Sequence, residues 1–200
     1  MSTHADALGR RALVIAFIIN LIMMSVDLWY GLMMKSASLL GDAANNSGDV
    51  FILGSSILVL SSTTAVKNRL ALFKGIIMTV FGLWAFYHVY LGLMEKSDLT
   101  GGIISIIGVM SLAGNASVAF MMYKHQHKDI NFMSAFICCR NDVFASAGII
   151  IAGLLVMYTE STLPDIIIGT AIAAIVCHGG IQVIRMSLDP ASQEEDCECC

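Results

Sequence analysis

Charge is scarce in this sequence. Aspartate, glutamate, lysine and arginine make up 13% of its 200 residues, there are only two prolines, and 57% of positions are hydrophobic. So few charges cannot clothe a water-soluble globule, and the composition excludes that class at once. Long polar linkers are also missing, which leaves no room for a separate soluble domain, and no internal repeat is visible. A net charge of -4 says little about partners, and nothing in the chain suggests a nucleotide or nucleic-acid site. Arg10 and Arg11 precede the first apolar run in the manner of a secretory leader. That run is too long for a signal-peptide core and lacks a small-residue cleavage site, so it reads as a retained membrane span.

What is present is apolar length. A bilayer core of roughly 30 Å needs about 20 mostly apolar residues per helical crossing, and six runs meet that need: about Ala12 to Met34, Ser38 to Ser61, Leu70 to Met94, Ile103 to Met122, Phe132 to Tyr158 and Pro164 to Leu188. Loops of a few residues join them, so each helix runs antiparallel to the one before it. The expected fold is an all-α membrane protein, six transmembrane helices in one compact bundle spanning residues 12–188. A short N-terminal segment over 1–11 precedes it and an acidic, cysteine-containing tail over 189–200 follows.

Lysines and arginines in short loops stay on the cytoplasmic side. Arg10, Arg11, Lys67, Arg69, Lys74, Lys124, Lys128 and Arg185 all fall on one side, whereas the opposite loops carry only Lys35 and Lys96 among Glu95, Asp98, Glu160 and Asp165. Both termini are therefore expected in the cytoplasm of a multi-pass protein, in the plasma membrane or bacterial inner membrane.

Polar residues interrupt two of the apolar runs. The second span reads SLLGDAANNSGDVFILG, with Asp42, Asn45, Asn46 and Asp49, and the fifth reads FICCRNDVFASAGIIIAG, with Cys138, Cys139, Arg140, Asn141 and Asp142. At 1.5 Å per residue, Asn45 and Asp49 on one helix and Cys138 and Asp142 on the other lie about 10 to 16 Å deep. Each pair is four apart, which places both side chains on one helical face. Ionisable groups at that depth cost a few kcal/mol and serve a pathway, a relay or a bound ion. Asn45, Asp49, Cys138 and Asp142 would make four ligands, a number that suits tetrahedral zinc. The thiolate favours zinc or cadmium, and the two carboxylates keep cobalt and ferrous iron open. Asn46 competes with Asn45 as the direct ligand, and Cys139, three before Asp142, competes with Cys138.

Arg140 points away from Asp142 by helical geometry and should find another carboxylate, Asp27 or Asp42. Asp27 and Asp42 are alternatively groups behind the ligands or on a proton path. His88 and His178 read as packed, hydrogen-bonded residues, and Asn20 and Asn115 as hydrogen-bonding glue between helices. Two segments on the cytoplasmic side could capture metal: KHQHKD with His125 and His127, and QEEDCECC with Cys197, Cys199 and Cys200. The tail reads equally well as a solvated acidic end. Disulfides are not expected in a reducing compartment.

The stretch DLWYGLMMKSASLLGDAANNSGD resembles the signature of the cation diffusion facilitator family of metal/proton antiporters, with Asp27, Gly31, Ser36, Leu39, Leu40, Asp42, Ala43 and Asp49 in register. NFMSAFICCRNDVFASAGIIIAG is similar to the family's second His-x-x-x-Asp segment through Asp142, Ser146 and Gly148. Asn45 and Cys138 stand where the family has histidine, which leaves the metal's identity open. The resemblance implies a non-enzymatic secondary transporter exporting divalent zinc or cadmium in exchange for protons, with Asp49 and Asp142 as ligands and proton carriers. No prosthetic group is expected beyond the transported metal. It also implies a homodimer through the membrane helices, and a short form without the cytoplasmic domain that most members append. Two other classes stand beside this reading: a membrane-embedded thiol enzyme or redox sensor using Cys138 and Cys139, and a transport-inactive metal-binding partner subunit.

Overall fold

The computed structural model describes residues 2–58, 64–94, 99–123 and 130–188, with side chains described from Arg11 onward except over 56–68, 71, 122, 130–141 and 186. These residues form six helices: α1 (Ser2–Met34), α2 (Ala37–Leu58), α3 (Thr64–Met94), α4 (Gly101–Tyr123), α5 (Ile130–Thr159) and α6 (Leu163–Leu188). Each expected span is a helix, and no strand is present among the described residues. The first helix begins well before Ala12, because the good helix formers Ala5, Ala7, Leu8, Arg10 and Arg11 carry it past the apolar run.

Among the described residues, five of the helices are long and apolar enough to cross a membrane: Arg11–Met34, Leu72–Met94, Gly101–Met121, Asp142–Thr159 and Leu163–Arg185. The exception is α2, whose Asp42, Asn45, Asn46 and Asp49 lower its hydropathy. Its position in the bundle explains how it tolerates them. It packs against α1, α3, α5 and α6, and nearly every residue from Ser36 to Asp49 is buried. Protein surrounds the polar helix, and the apolar ones face outward with Trp29, Met33, Ile106, Phe144 and Ile175 exposed. That is the arrangement expected of a multi-pass integral membrane protein, where lipid replaces water around the apolar shell.

One apolar core draws on all six helices, with Met34, Leu39, Ala85, Ile104, Ile149 and Ile172 among its buried members. The closest pairings are α1 with α2, α3 with α6 and α4 with α5. Small residues permit two of them. A Cβ placed on Gly180 of α6 would stand 2.9 Å from the carbonyl oxygen of Gly75 on α3, and one on Gly153 of α5 would stand 2.6 Å from the backbone nitrogen of Ser105 on α4. Backbones that approach so closely gain dispersion contact that larger side chains would prevent.

The reversal from α1 to α2 takes two residues. Lys35 adopts φ 53°, and the N–H of Ser36 reaches back to the carbonyl of Gly31 at 3.0 Å, the Schellman closure that satisfies a terminal carbonyl. Glu160, also left-handed at φ 51°, ends α5 by the simpler αL closure, its own N–H donating to the carbonyl of Val156 at 3.0 Å.

Two readings of isolated polar residues are corrected. The Asn20 amide donates to the carbonyl of Ala16 one turn earlier in its own helix, and among the described residues no hydrogen bond takes it to another helix. His178 is exposed on the outer face of α6, while its neighbour Cys177 turns inward against α3. His88 is half-buried, with Trp84 and Tyr87 edge-on to its ring. Asn115 does bridge helices, donating from α4 to Ser146 of α5 at 3.0 Å.

Candidate metal centre

Antiparallel helices α2 and α5 bring their polar faces together near the middle of the bundle. Asn45 Nδ2 donates to Asp142 Oδ1 at 2.6 Å, and the carboxyl of Asp49 lies within hydrogen-bond reach of Asp142. Asp49 and Asp142 are buried, at 8% and 6% exposure, and Asn45 is partly buried. The four-residue spacing of Asn45 and Asp49 stacks them on successive turns of one α2 face, and Asp142 meets that face from α5. Asn46, one residue on, turns instead to α1, where its Nδ2 donates to Asp27 Oδ2 at 3.1 Å.

The α5 backbone at this level is anchored from α4. Ser146 Oγ donates to the carbonyl of Asp142 at 2.9 Å and accepts from Asn115 Nδ2 at 3.0 Å. Asn115 also donates to the Asp142 carbonyl at 3.5 Å. Ser146 and Asn115 thus set the height at which Asp142 stands. Sequence reading had Asn115 as glue without a target, since the partner of a lone asparagine lies across a helix interface.

Behind the pair lies a row of acids. Asp27 of α1 and Asp42 of α2 are fully buried neighbours, and Asp42 in turn lies within electrostatic reach of Asp49. The row therefore runs Asp27, Asp42, Asp49, Asp142 across three helices. Asp27 accepts hydrogen bonds from Asn46 and, at 3.4 Å, from Ser111 of α4. Both carboxyl oxygens of Asp42, and Oδ1 of Asn46, receive no hydrogen bond of ordinary geometry. Like charges buried side by side are tenable only when cations or protons neutralise them, so this row is built to receive positive charge.

A cleft of about 380 Å³ opens from Asn45 and Asp142 between α5 and α6, walled by apolar residues including Ala145, Gly148, Ile168 and Val176.

Cys138, Cys139 and Arg140 lie on the helical backbone of α5, but their side chains are outside the described residues, as are His125, His127, Cys197, Cys199 and Cys200. Among the described residues no three histidine, cysteine, aspartate or glutamate side chains converge on one metal-sized point. What the described residues bring together here is two carboxylates and one amide. Sequence reading missed a further buried acid, Asp165, which it placed in a loop. In the structure Asp165 lies in the first turn of α6 with no exposure and is held by the start of α2.

A helical bundle with its most polar helix enclosed, and acids aligned through its interior, defines a multi-pass integral membrane protein with a buried acidic row. The chain belongs to the cation efflux family: residues 13–189 match the model of the cation efflux transmembrane domain. Among curated proteins it is similar to zinc transporter ZitB of Pectobacterium atrosepticum, 24% identical over 207 residues that cover 93% of this chain and 62% of that protein. It is also similar to a cadmium, cobalt and zinc/H(+)-K(+) antiporter of Bacillus velezensis, 21% identical over 199 residues covering 92% of this chain and 64% of the antiporter. The chain thus spans a little under two thirds of the length of these relatives, which are named as transporters and not as enzymes.

Proposed function

We propose that this protein exports a divalent transition-metal cation, zinc or cadmium, from the cytoplasm in exchange for protons. The observation that carries the reading is the 2.6 Å contact between Asn45 of α2 and Asp142 of α5, made beside Asp49 in a membrane-spanning bundle. Asn45, Asp49, Cys138 and Asp142 are the proposed ligands. The Nδ2 of Asn45 already claims one oxygen of Asp142, so a cation would displace a neutral donor there, and Asn45 would ligate it through Oδ1. Metal binding expels protons from ligands and protonation expels the metal, so one site can couple two gradients. Asp42 and Asp27 extend the same acidic row toward α1 and are the proposed proton path, with Arg140 as a countercharge.

Alternating access would come from rocking of the helices that hold the site. The arrangement of lysines and arginines supports cytoplasmic termini, a plasma or bacterial inner membrane is the proposed location, and a homodimer through the membrane helices the proposed assembly. His125, His127 and the tail cysteines Cys197, Cys199 and Cys200 are proposed to collect metal on the cytoplasmic side. Family membership and the transporter names of the curated relatives support export over a thiol-enzyme reading.

Flux into proteoliposomes tests the proposal. Zinc or cadmium uptake should depend on an imposed pH gradient and fall to the level of empty vesicles in Asp49→Ala and Asp142→Ala. Flux that survives both substitutions removes the site from the mechanism. Cys138→Ser should shift selectivity from cadmium toward zinc, and unchanged selectivity would strike Cys138 from the ligands.

A further inference from the structure

Asp165 has no place in the metal centre, yet it is among the most completely satisfied polar groups in the molecule. Its Oδ1 accepts from Ser36 Oγ at 2.7 Å, from Ser38 Oγ at 2.5 Å and from the backbone N–H of Ser38 at 3.3 Å, while its Oδ2 accepts from the N–H of Ala37 at 2.6 Å. Asp165, Ser36 and Ser38 have no exposure, and Ala37 has 1%. The first N–H groups of a helix have no partner within that helix. Here those of Ala37 and Ser38 are taken by a side chain from α6, and that of Leu39 reaches Ser36 Oγ at 3.4 Å. A negative group at this place complements the positive ends of two helix dipoles, since Asp165 also lies in the first turn of its own helix.

Packing continues the attachment inward. A Cβ on Gly169, four residues along α6, would fall 2.6 Å from the carbonyl oxygen of Ala37, and one on Gly41 would fall 3.2 Å from Cβ of Ile172. The starts of α2 and α6 are thus joined by hydrogen bonds at the rim and by backbone contact below it. Between α5 and α6, by contrast, a cleft reaches Gly148 and Ile168 and runs in as far as Ile172, the residue that packs on Gly41.

We infer that Asp165 is a positioning residue that makes the starts of α2 and α6 a fixed pivot. On this inference the two helices stay joined there through the transport cycle, and access to Asp49 and Asp142 changes by movement of α5 against them. The inference rests on the transport reading above. Asp165 touches neither the metal nor its ligands; it acts by holding the helix that carries Asn45 and Asp49.

A cysteine pair at Gly41 and Ile172 provides the test, because their Cβ separation of 3.2 Å lies just below the roughly 3.5–4.5 Å of a disulfide. Reconstituted Gly41→Cys/Ile172→Cys protein should move zinc after oxidation at a rate within about twofold of its own reduced form, with wild type oxidised in parallel as the control. In a second arm Asp165→Ala should lower turnover about tenfold and leave the half-saturating zinc concentration within about twofold. Oxidising the cysteine pair in that background should restore turnover, because a covalent tie replaces the hydrogen-bonded one. Transport that stops on oxidation and returns with reductant would overturn the pivot, as would an Asp165→Ala defect that resides in zinc affinity and ignores the disulfide. Wild-type protein that moves no zinc would count against the transport reading itself.

Discussion

Two buried acidic groups in this bundle are built on opposite plans. At the rim, one carboxylate, Asp165, is saturated by four donors, three from the first turn of α2 and one from Ser36 just before it. Deeper in, Asp27 and Asp42 share a site in which Asp42 receives no hydrogen bond of ordinary geometry and Asn46 leaves its Oδ1 unmatched. Both sites are fully enclosed, so burial does not separate them. The difference lies in the supply of donors. A buried carboxylate whose oxygens are all engaged is a structural joint, and removing it strands its partners. One left short of donors gains most from an arriving cation or proton, the expected state of a group in an ion pathway.

That contrast makes quantitative predictions, the largest at the rim. Asp165→Ala would leave the N–H groups of Ala37 and Ser38 and two hydroxyls buried without an acceptor. At about 1–3 kcal/mol for each unsatisfied donor, the loss should exceed about 3 kcal/mol. Unfolding in mild detergent, followed by helical circular dichroism, would measure it, and a loss below about 1 kcal/mol would mean that water replaces the carboxylate easily.

Next in size is the backbone contact beneath that joint. Gly169→Ala drives a methyl into the backbone of Ala37 and should cost about 1–3 kcal/mol or more. Gly148→Ala, whose Cβ would meet the Ile168 side chain at ordinary contact distances of 3.5 and 3.9 Å, should be neutral or stabilising by about 0.5–1 kcal/mol through helix propensity. Equal effects from the two glycines would contradict the distinction between a closed α2–α6 joint and an open α5–α6 cleft.

The smallest effect on stability is expected in the deep row. Asp42 receives no hydrogen bond of ordinary geometry, only looser contacts from Ser111 and Asp27, so Asp42→Asn should cost less than Asp165→Ala, and the same variant should slow pH-driven flux. Asp27→Asn replaces the acceptor of Asn46 and Ser111 and should cost more than Asp42→Asn. A reversed order would show that Asp42 is the better-supported acid.

Much of this architecture was legible from residue order. Six apolar runs predicted six helices, because a span must satisfy its backbone internally and be long enough to cross. The four-residue spacing of Asn45 with Asp49 placed two side chains on one α2 face before any neighbour was known. The choice between Asn45 and Asn46 was not legible. Both sit in the same helix one residue apart, and only the positions of α1 and α5 send Asn46 to Asp27 and Asn45 to Asp142. Asp165 was misread for the same reason: as the residue immediately after Pro164 it looks like a loop charge, and its four donors come from Ser36 and the first turn of α2, more than a hundred residues earlier. Asn20 erred in the other direction, finding its acceptor within its own helix, where no second helix was needed.

Residue order alone therefore determined that the protein lives in lipid, how many helices it has, and which two of them carry polar residues to mid-depth. These follow from transfer free energy and helical periodicity, both local properties. Tertiary structure alone decided that α2 is the enclosed helix, that four aspartates from three helices form a row, and that Asp165 caps a helix other than its own. Those facts depend on which surfaces meet, and in a bundle of similar apolar helices that is settled by small-residue contacts and matched hydrogen-bond donors between segments distant in the chain.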